Sequence, residues 1–353
     1  MKVITKRIFE QVRELIEAEA RDKKPGEPID TEANYARRFG VSRPTVRKAV
    51  EDLIRIGMIK RVPGKGLVMA RLDEVPYRGK LLIALPHDVG DGFLFRVMLG
   101  CVEQANLLGF DYKILSLKDS KARLEQVKKE YLDDFVAAIT CCYEVDYEYE
   151  LLEYLQNAGL PVMLIDNPPK MSDVPCVTCD DYDGGYKMGA YLAKKGHRNI
   201  INISTLRPVQ TVDRRDRGFV QALRDAGIDY DTSLILKGHN YTSEFISRFT
   251  PEDFKSGRYT AICSHTSLAI VEISRWLYEN DLRIYDDVSI IGYGDHPYLP
   301  MQNMPFTAIG VPSIEMGKSA VDEISSALLE KRPMNSIQHE VWLEKRHTVK
   351  SIV

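Results

Sequence analysis

From Lys80 to the C-terminus, short apolar runs alternate with stretches of helical period, and this alternation constrains the fold more than any other feature of the chain. The runs Leu81 to Pro86, Tyr112 to Leu117, Ala137 to Cys142, Pro161 to Asp166, Asn199 to Ser204 and Ala261 to Ser264 have strand length. Between them lie helical segments at Phe95 to Leu108, ended by Gly109, at Tyr147 to Ala158, ended by Gly159, at Asp183 to Lys195, ended by Gly196, and at Phe219 to Ala226; a charged helix runs up to Asp133. Strand-helix arithmetic of this kind predicts parallel sheets covered by helices on both faces. The stretch of about 270 residues suffices for two such lobes. In that architecture small molecules bind in the cleft, among the loops at the carboxyl ends of the strands.

The first 70 residues follow a different pattern. Ile8, Phe9, Val12, Leu15 and Ile16 have the spacing of a helix with one buried stripe, from about Thr5 to Arg21. Lys24-Pro25-Gly26-Glu27-Pro28 is a loop, after which Thr31 caps a second helix through Phe39, with Tyr35, Ala36 and Phe39 facing inward. Gly40 can end that helix in the left-handed conformation, Ser42 can cap the next, and Pro44 fits its first turn. On the third helix, which ends near Gly57, Val46, Ala49, Val50, Leu53 and Ile56 fall on one side and Pro44, Arg47, Lys48 and Arg55 on the other. Two short apolar segments around Pro63-Gly64-Lys65-Gly66 then form a hairpin.

Charge separates the two parts. Residues 1–70 hold 16 lysines and arginines against 10 acids, whereas the remainder holds 32 against 41. A small basic module joined to a larger acidic one suits phosphate contact at the front. Ser42, Arg43, Thr45, Arg47 and Lys48 crowd the first two turns of the third helix, the end that enters the major groove in helix-turn-helix proteins. An arginine there can donate two parallel bonds to guanine, worth roughly 1–3 kcal/mol of base discrimination. The plainer alternative is a solvated helix with ordinary surface arginines.

The front module resembles the GntR family through Thr31-Glu32, the run from Phe39 to Ala49, Leu53, Gly57, Ile59 and Gly64-Lys65-Gly66. The resemblance implies that Arg43 and Arg47 contact bases or phosphate, that Ser42 and Thr45 bind backbone, and that the wing at Lys65 and Gly66 approaches the minor groove. Thr31 and Lys48 join these as DNA-contact candidates. Two positions depart from the family: Ala33 stands where an arginine is usual soon after Glu32, and Lys48 where many members have glutamate.

The larger part resembles the LacI/GalR effector domain, itself similar to periplasmic sugar-binding proteins. The resemblance rests on an ordered set: Gly159 to Asp166, Val177 to Gly185, Lys195 to Ile200, Arg215-Asp216-Arg217-Gly218-Phe219, Asp286 to Tyr293 and Met316 to Val321. It implies that Arg215 donates to ligand hydroxyls and that Asp166 lies at the cleft. Phe93 and Phe95 follow the first strand, where a ring could cover a sugar face. A buried polyol needs a carboxylate, a guanidinium and an apolar plate, because its hydroxyls must be hydrogen-bonded while its C–H faces need packing. His265-Thr266 stands where the family often has Asn-Asp, and Gly294-Asp295 where it often has Asp-Asp; His265 and Asp295 are kept as contacts of lower rank. Each candidate has a structural alternative: a surface arginine for Arg215, a hinge acid for Asp166, core packing for the two phenylalanines, a cap for His265 and a hinge residue for Asp295.

Together these features predict an α/β chain: a winged helix-turn-helix over 1–70, a linker over 71–79 and a two-lobed periplasmic-binding-protein-like domain over 80–353. The arabinose-responsive repressors of Gram-positive bacteria share this layout. The expected function is a sugar-responsive repressor of carbohydrate-use genes, a homodimer partnered by double-stranded operator DNA and a sugar or sugar derivative. No signal peptide and no apolar run near 18 residues is visible, so a cytoplasmic protein without membrane contact is expected. A sugar-binding protein for transport would need an export signal in place of the winged helix. A GntR-type fusion enzyme would need a cofactor lysine and a longer tail. No nucleophile-base pairing or metal spacing stands out, and neither catalysis nor a cofactor is expected. Cys176 and Cys179 read as buried strand residues on opposite faces rather than a redox pair, His197 as a structural hydrogen-bonder, and Tyr143 to Glu150 as an exposed helix start.

Overall fold

A computed structural model describes residues 8–55, 57–70, 78–86, 92–116, 119–143, 146–168, 173–205, 209–238, 241–265, 267–294 and 306–352. The head begins with α1 (Ile8–Arg21), α2 (Glu32–Phe39) and α3 (Arg43–Arg55), followed by the hairpin strands β1 (Ile59–Val62) and β2 (Gly66–Met69). Thr31 caps α2 by accepting from the Asn34 amide, and Gly40 ends it at φ 66°, where a side chain would be strained. Val46, Ala49, Val50 and Leu53 of α3 are buried as the wheel requires, on Tyr35 of α2 and on Val12, Ile16 and Ala20 of α1. The stripe of α1 differs from the expected one, because Ile8 and Leu15 are exposed and Ala20 takes a core place. Small Ala20 lets the helices approach, and an apolar residue off the contact line stays outside whatever its hydropathy.

The larger part opens with β3 (Gly79–Ala84), α4 (Gly92–Leu108), β4 (Phe110–Ile114), α5 (Ser120–Val127), β5 (Ala137–Cys141), α6 (Asp146–Asn157), β6 (Val162–Ile165) and β7 (Cys176–Cys179). The chain then crosses through α7 (Asp181–Lys194) into β8 (Ile200–Thr205), α8 (Gln210–Asp225), β9 (Ile235–Gly238), α9 (Tyr241–Arg248), α10 (Pro251–Lys255), β10 (Ala261–Ser264), α11 (Ser267–Glu279), β11 (Ser289–Tyr293) and β12 (Thr307–Gly310). It returns through α12 (Ser313–Glu330) to β13 (Ile337–His339) and crosses once more to β14 (Trp342–Glu344). The sheets have one order in two copies, β13-β7-β6-β5-β3-β4 and β14-β12-β11-β10-β8-β9. Only the β12–β14 pairing is antiparallel among those in the two six-stranded sheets. Both sheets thus take the parallel, helix-covered form that the alternation requires.

The two lobes also share one helix crossing. A Cβ on Gly100 would lie 2.0 Å from the Ile314 carbonyl oxygen, and one on Gly317 2.0 Å from that of Val97, so α4 and α12 touch backbone to backbone. In the second lobe Gly218 meets the Tyr182 carbonyl and Gly185 the Arg215 carbonyl at the same 2.0 Å. Gly100 and Gly218 are each the ninth residue of their helix, and Gly317 and Gly185 each the fifth. α4 therefore corresponds to α8, and α12 to α7.

Two further expectations are corrected. α8 starts at Gln210 rather than Phe219, because its first turns carry charge on the outer face and conceal the period. The acidic run of residues 143–150 is not wholly exposed: Glu148 is buried, its Oε1 2.9 Å from Nη2 of buried Arg123, while Oε2 accepts from the Tyr143 amide at 2.6 Å. Paired in this way, two charges can leave water. No helix among the described residues is long and apolar enough to cross a membrane.

Candidate functional site

The head presents its donors where the turn between α2 and α3 meets solvent. Ser42 and Thr45 share a 2.7 Å hydroxyl contact at the start of α3, and Arg43 and Arg47 are exposed beside them. Glu32 holds two cations in this region, Arg61 of β1 through Nη2 at 2.7 Å and Arg47 through Nε at 3.5 Å. The Arg61 hydrogen bond, aided by Arg47, keeps the Glu32 carboxyl below its ordinary value against the effect of burial. Lys65 and Gly66 lie at the tip of the hairpin, with Gly66 at φ 77°. Thr31 is occupied as the cap of α2, and the Lys48 ammonium sits 4.0 Å from the Phe9 ring centroid on α1. Both candidates are thus already engaged within the head.

The crossovers define the cleft. β7 ends at Cys179 and α7 of the other lobe starts at Asp181; β12 ends at Gly310 and α12 starts at Ser313. The carboxyl ends of the two sheets therefore lie toward one another, and Gln210 of α8 bonds across to the Pro168 carbonyl at 2.9 Å. At this junction Nε of Arg215 donates to Asp181 Oδ1 at 2.7 Å, Nη1 donates to the His265 carbonyl at 3.2 Å, and the guanidinium lies 3.7 Å from the Tyr293 ring centroid. Tyr293 donates its hydroxyl to the same Asp181 oxygen at 3.0 Å. Burial acts to lower the Arg215 pKa, yet Asp181 with Tyr293 and Asp166 raises it overall, so the cation is locked in. Asp181 Oδ2 is buried with no hydrogen-bond partner among the described residues.

A second cluster lies on the next residue of α8. Asp216 accepts from Asn202 Nδ2 at 3.0 Å and from the Ser204 hydroxyl at 2.8 Å, and Nε2 of His265 lies 2.8 Å from its Oδ1. All four side chains are buried. Burial would raise the Asp216 carboxyl, but His265, Ser204 and Lys237 together hold it below the ordinary carboxylate range. His265 thus turns its ring inward on Asp216 and gives its backbone oxygen to Arg215.

On the facing lobe, Asp166 ends β6 at φ 72°, and the Asn167 amide bonds back to the Ile165 carbonyl at 3.0 Å, closing a three-residue turn about Asp166. Turns of this kind are strained and recur at ligand sites. Asn167, fully buried, donates to the Cys142 carbonyl at 2.7 Å, and its Oδ1 has no partner among the described residues. On α4, Phe93 packs against the core and Phe95 is exposed. Asp295 lies outside the described residues. The structure therefore brings Arg215 and His265 together and adds Asp181, Asp216 and Tyr293, which sequence reasoning missed. A signal for Asp216 was available: Val212, Asp216, Phe219 and Leu223 share one helical stripe, so the carboxylate occupies a core position.

Comparison with known proteins agrees with this architecture. Residues 4–69 match the family described as bacterial regulatory proteins, gntR family, and residues 190–349 match the periplasmic binding protein-like domain. The arabinose metabolism transcriptional repressor of Geobacillus stearothermophilus is 25% identical over 328 residues, which are 89% of this chain and 88% of that protein. A transcriptional regulator CelR–cellobiose complex superposes with a TM-score of 0.67 at 19% identity, covering 87% of this chain and 90% of that one. A periplasmic binding protein/LacI transcriptional regulator from Alkaliphilus metalliredigens, complexed with D-xylulofuranose, superposes at 0.63 with 19% identity, covering 77% and 99%.

The chain joins a gntR-family domain to a periplasmic-binding-protein-like domain.

Other features of this chain are structural. His197 is buried, with Nδ1 2.9 Å from the Thr260 hydroxyl and Nε2 3.1 Å from the Lys350 carbonyl, and burial lowers its pKa. All six cysteines are buried and outside any disulfide, and burial pushes the thiol of Cys101 up to about 12. A groove of 710 Å³ between Leu160, Pro175 and Leu328 lies at the amino ends of β5 and β6, away from the cleft. Arg13 of α1 reaches Asp322 of α12 at 3.4 Å, so the head touches the helix that carries the chain back between lobes.

Proposed function

We propose that this chain is a cytoplasmic, sugar-responsive repressor of carbohydrate-use genes, without enzymatic activity. In this reading residues 1–70 bind operator DNA, 71–79 link, and 80–353 bind the effector. Arg43 and Arg47 read bases or phosphate, with Ser42 and Thr45 on backbone, the wing at Lys65 and Gly66 approaching the minor groove, and Thr31 and Lys48 in support. A homodimer places two recognition helices on a pseudo-palindromic site. The effector enters the cleft, where Arg215 and His265 meet its hydroxyls, Asp166 closes the opposite wall, and Phe93, Phe95 and Asp295 complete the site.

The observation that carries the reading is Arg215, held by Asp181 over the Tyr293 ring where the chain passes between lobes. A ligand bridging the lobes there favours closure, and the contact of Arg13 on α1 with Asp322 on α12 gives closure a route to the head. Coupling of roughly 1–3 kcal/mol weakens operator affinity about 5- to 150-fold. A thermal-shift panel of arabinose, ribose, xylulose and cellobiose tests the ligand class, since a ligand selective for the folded state raises its melting point. At least one sugar is expected to raise it; no shift from any at millimolar concentration would contradict the reading. Arg47→Ala is expected to weaken operator binding and leave sugar affinity as in wild type, and unaltered operator affinity would remove Arg47 from the interface.

A further inference from the structure

The polar cluster around Asp216 is not required by the fold, and the internal correspondence of the lobes shows why. Leu81 pairs with Ala137 in the first sheet as Ile200 pairs with Ala261 in the second, which aligns Ile83 with Asn202, Leu85 with Ser204 and Cys141 with His265. The matched glycine crossings align Met98 with Asp216. One architecture therefore fills this layer with Ile83, Leu85, Met98 and Cys141 in the first lobe and with four buried polar side chains in the second. Burying such groups costs free energy that hydrocarbon in the same place does not.

Their geometry has a direction. Asn202 and Ser204 both donate to Asp216, and Nε2 is the ring nitrogen of His265 that faces the carboxylate, 2.8 Å from its Oδ1. A proton on Nε2 points at the carboxylate, and the tautomer that carries it there presents Nδ1 as an acceptor. Both ring nitrogens of His265 are buried without a hydrogen bond among the described residues, Nε2 in close contact with Asp216, and Asn202 Oδ1, Asp181 Oδ2 and Asn167 Oδ1 are unmatched as well. The unmatched oxygens of Asp181 and Asn167, one on each side of the junction, call for a donor-rich guest.

We propose that Asp216 is a positioning residue for effector recognition, fixing His265 through Nε2 so that Nδ1 accepts from a hydroxyl of a neutral polyol. Asn202 and Ser204 hold Asp216 in turn. A phosphorylated sugar brings acceptors to acceptors and is disfavoured. This inference rests on the sugar-binding cleft proposed above.

The test uses the full-length protein. In wild type, long-range imidazole ¹H–¹⁵N spectra are expected to show His265 protonated at Nε2 and bare at Nδ1, assigned by its loss in His265→Cys; a ring protonated at Nδ1, alone or together with Nε2, would overturn the proposal without any ligand. By calorimetry, arabinose or whichever neutral sugar of the panel binds most tightly is expected to bind Asp216→Asn about tenfold or more weakly, with operator affinity in the absence of sugar unchanged. Sugar affinity within twofold of wild type would overturn it. The first-lobe set installed in the second, Asn202→Ile, Ser204→Leu, Asp216→Met and His265→Cys together, is expected to fold and bind operator DNA while losing its response to sugar. Loss of folding would make the cluster structural and overturn the inference. Arabinose 5-phosphate binding more tightly than arabinose would overturn the neutral-polyol assignment. If no panel sugar binds wild type, the proposed function fails, and the tautomer measurement still decides the role of Asp216.

Discussion

The first and second lobes are built on one plan, with one strand order and one pair of glycine crossings, yet their interiors differ at the end nearest the cleft. Val97 of α4 corresponds to Arg215 of α8, and Ser313 at the start of α12 to Asp181 at the start of α7. Where the first lobe has Val97 and the layer of Ile83, Leu85, Met98 and Cys141, the second holds a paired guanidinium and the Asp216 cluster. The glycines belong to the architecture, because a methyl group on either crossing would overlap a carbonyl oxygen. The charges are not needed by that architecture, since the first lobe closes without them, and in the proposed reading they belong to the site. Comparing the lobes thus separates residues that fold the chain from residues proposed to read its ligand.

Substitutions at matched positions can break that division. The largest effect is expected from Arg215→Ala, which leaves buried Asp181 without its cation and should cost about 3–5 kcal/mol, together with measurable sugar binding. Val97→Ala should cost roughly 1–2 kcal/mol and leave sugar binding intact. Denaturant unfolding and calorimetry check both, and equal stability losses would end the distinction. Next in size, Gly185→Ala and Gly317→Ala should each destabilise by about 1–3 kcal/mol through the clash at 2.0 Å. A melting-point loss confined to one of them would refute the structural equivalence of the crossings.

The smallest expected effect is on acid stability. The folded Asp216 carboxyl is held below its ordinary value by His265, Ser204 and Lys237, although burial opposes them. Its ionised form therefore stabilises the fold above the ordinary carboxylate range, roughly pH 4, and that contribution is lost as pH falls through the lowered value. The stability difference between wild type and Asp216→Asn should narrow as pH drops below about 4. A difference that widens on acidification would reverse the assigned sign.

Strand-helix alternation and the head's caps were legible in the sequence because they depend on local period and on residues such as Gly40, Ser42 and Thr31. The strands expected at Ala137 and Ala261 are present as β5 and β10. What stayed hidden depended on partners distant in the chain. Charged residues on the first turns of α8 masked its start, and Glu148 looked solvated until Arg123 came beside it. Arg215 and His265 were nominated from a resemblance, but the residues that hold them, Asp181 and Asp216, are set by contacts spanning 34 and 49 positions. A one-dimensional pattern marks an acid on an apolar stripe without naming what it grips.

The central claim is that occupancy of the cleft is felt at the DNA-reading head. The most direct measurement titrates wild type onto a fluorescent duplex that it has itself selected from a random pool, with and without saturating concentrations of the tightest-binding sugar of the panel, at fixed salt. The account predicts operator affinity about 5- to 150-fold weaker with sugar. Equal affinity in the two conditions, with the sugar shown to be bound, would contradict it.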